Sequence, residues 1–297
     1  MCEITKFATI MKLYTEVSAE KLSTIFLTDP VCSLGSCFAD EMGARLSAAG
    51  FDVLRNPFGT LYNPASIAAA VQRLDSAEPF TEADCVEMGA GAGLVCSFSH
   101  HTSFARPTAE EFLAYANARL IEDSNRWRAC RHVLVTLGTA WVWRALQRPG
   151  APVVANCLKR PAAEFSHEML GVDACAALLR GIIEAHPDKH FILTVSPIRH
   201  LGDGAHANTL SKSTLHLAVE SVLSSSTARA EYFPAYEIVQ DELRDYRFYA
   251  DDLVHPAPAA VQLVWERFLD ACTDPADRPA ILAAERAARA AAHRPLR

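Results

Sequence analysis

The sequence predicts an α/β protein organised around a central, mostly parallel sheet. Three observations predict it. Nearly all-apolar runs of strand length recur at residues 31–34, 132–137 and 190–195. Each stops at a glycine or a Ser-Pro pair, as strands buried on both faces do. Between them lie segments with apolar residues at helical spacing. Strands alternating with helices form βαβ units, because parallel neighbours need a crossover long enough to hold a helix.

Taken in order, residues 31–34 (VCSL) form the first strand and run through Gly35-Ser36-Cys37 into a helix over 38–49. Phe38, Met42, Leu46 and Ala49 share one face of that helix, and Gly50 ends it. Residues 51–54 are a short extended piece. The segment 55–64 (RNPFGTLYNP) is a Pro-, Gly- and Asn-rich loop, and Pro64-Ala65-Ser66 opens a helix over 67–74. Small residues at 89–93 precede a short strand over 94–98. Thr108 caps a helix that carries Glu110 and Glu111 in its first turn and runs to about residue 127. The strand at 132–137 follows, then a short one at 153–155, a helix over 172–185 and the strand at 190–195. A helix over 208–223, a final strand over 230–238 and an amphipathic helix over 258–272, with Pro258 in its first turn, complete the series. The Ala- and Arg-rich stretch 279–297 reads as an exposed helix with a frayed end. One domain over 1–297 is expected, with its core at about 31–270 and a helical tail over 271–297. Residues 76–130 and 201–229 read as insertions that shape a substrate site.

Composition excludes several classes of function. The chain has 297 residues, enough for one large core. Its net charge is −7 and it has no basic stripe, which argues against binding nucleic acid. No run of about 18 apolar residues occurs, so no membrane span is expected. The first residues, MCEITKFATIMKLYTE, lack the apolar stretch of a signal peptide. Nine cysteines, an odd number, read as free thiols in a reducing, cytoplasmic setting. There is no G-x-x-x-x-G-K phosphate loop, and no cofactor is expected. His100-His101 has no further ligands at a recognisable spacing, so no metal is expected either. Oligomeric state carries no signal.

Active sites of parallel α/β sheets form beyond the C-terminal ends of the strands. The residues there are Gly35-Ser36-Cys37, Gly138-Thr139-Ala140-Trp141 and Ser196-Pro197-Ile198-Arg199-His200, with Asp251-Asp252-Leu253-Val254-His255-Pro256 ahead of the last helix. Cys37 stands at a strand-to-helix turn, where the partial positive charge of a helix N-terminus favours a thiolate. Either Cys37 or Ser36 suits a nucleophile, and Cys37 suits a small buried hydrophobe equally well. Asp252 and His255, three apart, have the types and spacing of an orienting carboxylate and a general base. Alone, that short pattern is more often a helix cap beside an exposed histidine. Arg199 and His200 open at the pocket end and suit an acidic or carbonyl group of a substrate. Trp141 and Trp143 suit a core or a pocket wall.

Longer motifs add to this reading. Gly35-Ser36-Cys37-Phe38-Ala39 spells G-S-C-F-A. Asn56-Pro57-Phe58-Gly59-Thr60-Leu61-Tyr62-Asn63-Pro64, Leu137-Gly138-Thr139-Ala140-Trp141, Val154-Ala155-Asn156-Cys157, Thr194-Val195-Ser196-Pro197-Ile198-Arg199-His200 and the segment 246–256 follow in order. Over about 31–269 the chain resembles the GSCFA domain family, which itself resembles a branch of the SGNH (GDSL-type) hydrolases. That resemblance implies a three-layer αβα sandwich of flavodoxin-like kind with helical insertions. It implies a nucleophile at Cys37, with Ser36 beside it, and a triad completed by Asp252 and His255. It implies an oxyanion hole from Gly59, the Gly138-Thr139 block and the backbone at Cys37. Ala140 stands where SGNH enzymes carry an asparagine, which leaves Thr139 or Asn63 to supply that donor. The implied activity is acyl hydrolysis or acyl transfer from an ester or thioester through a covalent acyl-enzyme, on a small-molecule or carrier-bound substrate. The alternative is a catalytically weak module on the same fold that binds an acylated or glycan ligand.

Overall fold

The computed structural model of the protein describes residues 15–225 and 229–292. Its strands are β1 (Val31–Gly35), β2 (Val53–Arg55), β3 (Val86–Glu87), β4 (Val95–Cys96), β5 (His132–Leu137), β6 (Trp141–Ala145), β7 (Val153–Val154), β8 (Phe165–Met169), β9 (His190–Val195) and β10 (Ala230–Tyr232). Its helices are α1 (Cys37–Ala48), α2 (Pro64–Ser76), α3 (Ala109–Ala129), α4 (Val172–Ala185), α5 (Ala205–Ser224), α6 (Ala235–Glu237), α7 (Pro258–Cys272) and α8 (Arg278–Ala292).

Five strands pair in parallel in the order β10-β9-β5-β1-β2. Renumbered within the sheet this is 2-1-3-4-5 from the β2 edge, the flavodoxin-like order. The two faces follow from the period of two along each strand. Cys32 and Leu34, Val133, Val135 and Leu137, and Phe191, Leu193 and Val195 pack in one core with apolar residues of α2, α3, α4 and α5. Val31, Leu134 and Ile192 point the other way, into a second core with α1, α6, α7 and α8. The result is the three-layer αβα sandwich. A buried cation ties the end of α3 to the start of β9: Lys189 Nζ donates to the carbonyls of Trp127 and Cys130 at the C-terminal end of α3, at 2.9 Å each.

Several elements differ from expectation. The last strand stops at Tyr232, and Ala235–Glu237 already turns helical and runs into a π turn over Ile238–Glu242. Ile238 and Val239 are apolar because they fill the second core, not because they extend a sheet. A second, three-stranded antiparallel sheet of β7-β6-β8 sits between β5 and α4 in the chain. Of its strands only β7 was expected, within 153–155. Residues 201–229 hold α5, the crossover between β9 and β10, with Leu215, Ala218, Val219 and Val222 in the first core, rather than an insertion. Residues 76–130 likewise hold α3, a core crossover before β5. The C-terminal helix α8 is largely exposed but docked: Ile281 is fully buried, and Trp265 Nε1 donates to Glu285 at 2.7 Å. Residues 293–297 of that stretch, and 1–14 of the N-terminal reading, lie outside the described residues. No described helix is long and apolar enough to cross a membrane.

Candidate active site

A sheet of this order opens a crevice where the chain leaves β1 in opposite directions, between the C-terminal ends of β1 and β5. Gly35 makes the turn there. Its φ of +136° suits glycine, and a Cβ at this position would lie 2.1 Å from the Thr136 carbonyl oxygen. The turn is fastened to the 55–64 loop on both sides. Gly35 N–H donates to Asn56 Oδ1 at 2.8 Å, and its carbonyl accepts from Leu61 N–H at 2.8 Å. Asn56, at a positive φ of 34°, also donates through Nδ2 to Asp40 Oδ1 of α1 at 3.0 Å.

Cys37 is the first residue of α1, and Ser36 is its N-cap. The amides of Cys37 and Phe38 have no acceptor among the described residues, as expected of a first helical turn. The Cys37 side chain is half-buried, and its Sγ lies 3.3 Å from Tyr62 Oη. Ser36 is 1 % exposed, and its Oγ is sealed off with no hydrogen-bond partner. The thiol is therefore the accessible member of the pair.

Asp252 and His255 form the pair their spacing predicts. Asp252 Oδ2 and His255 Nδ1 are 2.6 Å apart. Asp252 Oδ1 accepts the backbone N–H groups of Val254 and His255 at 2.9 Å each. Those two backbone bonds, then the imidazole, hold the carboxyl down at about 2. The loop is open, with side chains 52 % and 49 % exposed, and turns through Leu253 at φ 57°. His255 and Cys37 do not hydrogen-bond. Burial, then the charges of Lys212 and His255, push the His200 imidazole down to about 4. Its ring stands edge-on to Tyr62 with centroids 5.4 Å apart, and its Nε2 is buried and unpartnered. A Cβ on Gly138 would meet His200 Nε2 at 3.2 Å and Ser36 Cβ at 3.3 Å, so Gly138 lets these two elements close over the β5 end.

The other sequence-predicted residues serve largely as bracing. Gly138 and Thr139 both donate their amides to the Tyr62 carbonyl at 2.8 Å. Thr139 Oγ1 accepts from Trp141 N–H at 3.1 Å and meets Ser211 Oγ at 2.9 Å. The Gly59 amide is held by the Asn56 carbonyl at 2.7 Å, and its Cα is pressed against His101, which a Cβ would meet at 2.3 Å. Asn63 caps α2, accepting from Ser66 N–H at 2.8 Å. Arg199 is exposed and donates to Gln240 at 3.0 Å. Trp141 lies on β6 with its ring 4.7 Å from that of His167, and its Nε1 is buried without a partner. His100 is a core residue: it bonds Ser97 at 2.7 Å among Phe58, Phe80, Phe104 and Phe112, and burial pushes it down to about 3. Among the described residues no three His, Cys, Asp or Glu side chains gather as a metal site. A cavity of about 420 Å³ beside α2, lined by Phe58, Ser66, Arg73, Ser97, Arg148 and Val154, includes neither Cys37 nor His255.

Two residues at the site escaped sequence reasoning. Lys212 of α5 is 2 % exposed, and its Nζ donates to the carbonyls of Gly138 and Ser196 at 2.6 and 2.7 Å, pinning the ends of β5 and β9 together. Burial pushes this amine down to about 7. Tyr62 is the other, although it lies inside the NPFGTLYNP motif.

Fold and site together define a three-layer α/β protein of flavodoxin-like strand order, with a cysteine at its first strand-to-helix turn and an Asp-His pair before its last core helix. The GSCFA family model matches residues 30–268, and the chain belongs to that family. No curated protein matches it. Among solved structures it is similar to a carbohydrate esterase family 2 enzyme with a carbohydrate-binding domain from Corynascus thermopiles (Myceliophthora fergusii), at 19 % identity and a TM-score of 0.30. That match covers 52 % of this chain and 37 % of the other, well under half of its length.

Proposed function

We propose that the protein is a hydrolase-like acyl-transfer enzyme that works through a covalent acyl-enzyme on Cys37. The observation that carries this reading is the 2.6 Å Asp252–His255 pair, in a fold that also presents a half-buried thiol, Cys37, at the first strand-to-helix turn. His255 takes the thiol proton, and the thiolate attacks an acyl carbonyl carbon. The C–S bond forms as the carbonyl electrons move onto oxygen, beside the free amides of Cys37 and Phe38. Collapse expels an alcohol or thiol, which His255 protonates, and water or another acceptor then removes the acyl group by the reverse path. Asp252 holds the imidazole tautomer that makes this exchange possible. A thiol nucleophile suits activated donors, so esters with good leaving groups and thioesters are the expected substrates.

An acyl-binding module with little turnover is the competing reading. One observation favours it: the amides of Gly59, Gly138 and Thr139 are already bonded within the protein, leaving only first-turn amides of α1 for an oxyanion. Turnover of a panel of aryl esters and acyl-thioesters separates the two. The enzyme reading expects hydrolysis or transfer that Cys37→Ala and His255→Ala abolish and Ser36→Ala preserves. Ligand retention without turnover, unaffected by His255→Ala, would establish the binding module.

A further inference from the structure

We propose that Tyr62 is a catalytic residue: its phenol donates a hydrogen bond to the Cys37 sulfur and stabilises the thiolate, with Thr60 fixing the phenol from behind. This deepens the reading of Cys37 as nucleophile and rests on it. The geometry is a short chain of hydroxyls. Thr60 Oγ1 donates to Tyr62 Oη at 3.4 Å, and Tyr62 Oη lies 3.3 Å from Cys37 Sγ. Since the phenol oxygen already accepts from Thr60, its own proton is free to point at sulfur. A phenol is also much the better donor of the two, a thiol being a weak one. Tyr62 keeps that proton, because burial, then its bond to Cys37, pushes it up to about 12.

The backbone holds this arrangement as firmly as the side chains do. The Tyr62 carbonyl accepts the amides of Gly138 and Thr139, so the residue is clamped to the end of β5 while its ring rests edge-on against His200. Leu61 N–H is clamped to the carbonyl of Gly35, the turn residue two positions before Cys37. The NPFGTLYNP motif therefore delivers a hydroxyl to the sulfur in addition to whatever its glycine does. In the chemical step the S–H proton passes to His255 Nε2. The negative charge left on sulfur is met by the Tyr62 O–H, which keeps its proton throughout. When the S–C bond forms, sulfur loses its charge and the phenol proton no longer has an anion to bond.

The test is alkylation of the full-length protein by iodoacetamide between pH 6 and 10, with the modified peptide mapped to Cys37. Tyr62→Phe keeps the ring, the backbone clamp and the fold, which thermal melting verifies. At pH 7 it should slow Cys37 labelling about tenfold, the scale of one hydrogen bond to a charged group. The gap should close by pH 10, above the range in which ordinary thiols ionise, since an unbonded thiolate is at least as nucleophilic. Thr60→Val should give a smaller slowing of the same shape, and Thr60→Ser should restore the parent rate. Identical profiles for parent and Tyr62→Phe would overturn the proposal, as would a slowing that persists undiminished to pH 10. No acyl substrate enters this assay. A shifted labelling profile without turnover of any ester would thus retain the hydrogen bond and reject the enzyme.

Discussion

Lys212→Met is the perturbation whose size follows most directly from the structure. The amine is almost fully buried, and its partners are two neutral carbonyls. Burial carries it from 10.5 down to about 7. Below pH 7 it is protonated in folded and unfolded chains alike, and the native state bears the whole cost of the buried charge. That cost is about 5 kcal/mol as an upper figure, at about 1.4 kcal/mol per tenfold change in proton affinity. Between pH 7 and 10.5 the unfolded chain still binds the proton the native state has lost, so stability climbs with pH. From pH 7 to 9 the gain is about 2 kcal/mol. The substitution removes that slope. It also leaves the Gly138 and Ser196 carbonyls without a donor, at about 1–3 kcal/mol each, which offsets the relief at pH 7. Urea melts at pH 7, 8 and 9, followed by tryptophan fluorescence, read the difference. The parent should gain about 2 kcal/mol on the variant between pH 7 and 9. Tyrosine and cysteine titrations are common to both proteins and cancel. His200 and His216, whose imidazoles are lowered by burial with Lys212 contributing, titrate below this window. Equal pH slopes for the two proteins would refute the reasoning.

Three further outcomes follow from the same geometry. Gly35→Ala drives a Cβ to 2.1 Å from a backbone oxygen at a φ of +136°, and should cost more than about 3 kcal/mol, seen as insoluble protein or a large drop in melting temperature. Asp252→Asn removes the carboxylate that fixes the His255 tautomer and should lower kcat on an activated ester about 100-fold with the fold intact, short of what a fully buried triad shows because the pair is half open to water. Asn63→Ala deletes the α2 cap and should cost about 1 kcal/mol in a urea melt while leaving Cys37 labelling unchanged.

The strands β1, β5 and β9 were legible because both their faces are buried, so each is a continuous apolar run between small residues. β6 and β8 were not. Trp-Val-Trp-Arg-Ala and Phe-Ser-His-Glu-Met lie in a partly exposed sheet, where Trp143 stacks on His167 at 3.9 Å and Arg144 pairs with Glu168, and neither segment carries a strand pattern. At the site, Asp252 and His255 are three residues apart, and local chain geometry suffices to pair them. Tyr62 acts on a sulfur 25 residues away in sequence, through a contact that only the packing of the 55–64 loop on β1 creates. Lys212 looks like any solvated helical lysine until the crossover of α5 turns it inward beneath Gly138. The same holds of the expected oxyanion hole. Gly59 and Thr139 were read as parts of it from their motifs, and nothing in the sequence signals that their amides bond to the Asn56 and Tyr62 carbonyls.

The central claim, a covalent acyl-enzyme on Cys37, is tested most directly by intact-mass analysis with peptide mapping after mixing with aryl esters and acyl-thioesters. The account predicts one acyl increment, mapped to Cys37, retained in Ser36→Ala and absent in Cys37→Ala. An increment on Ser36, or undiminished turnover by Cys37→Ala, would contradict it.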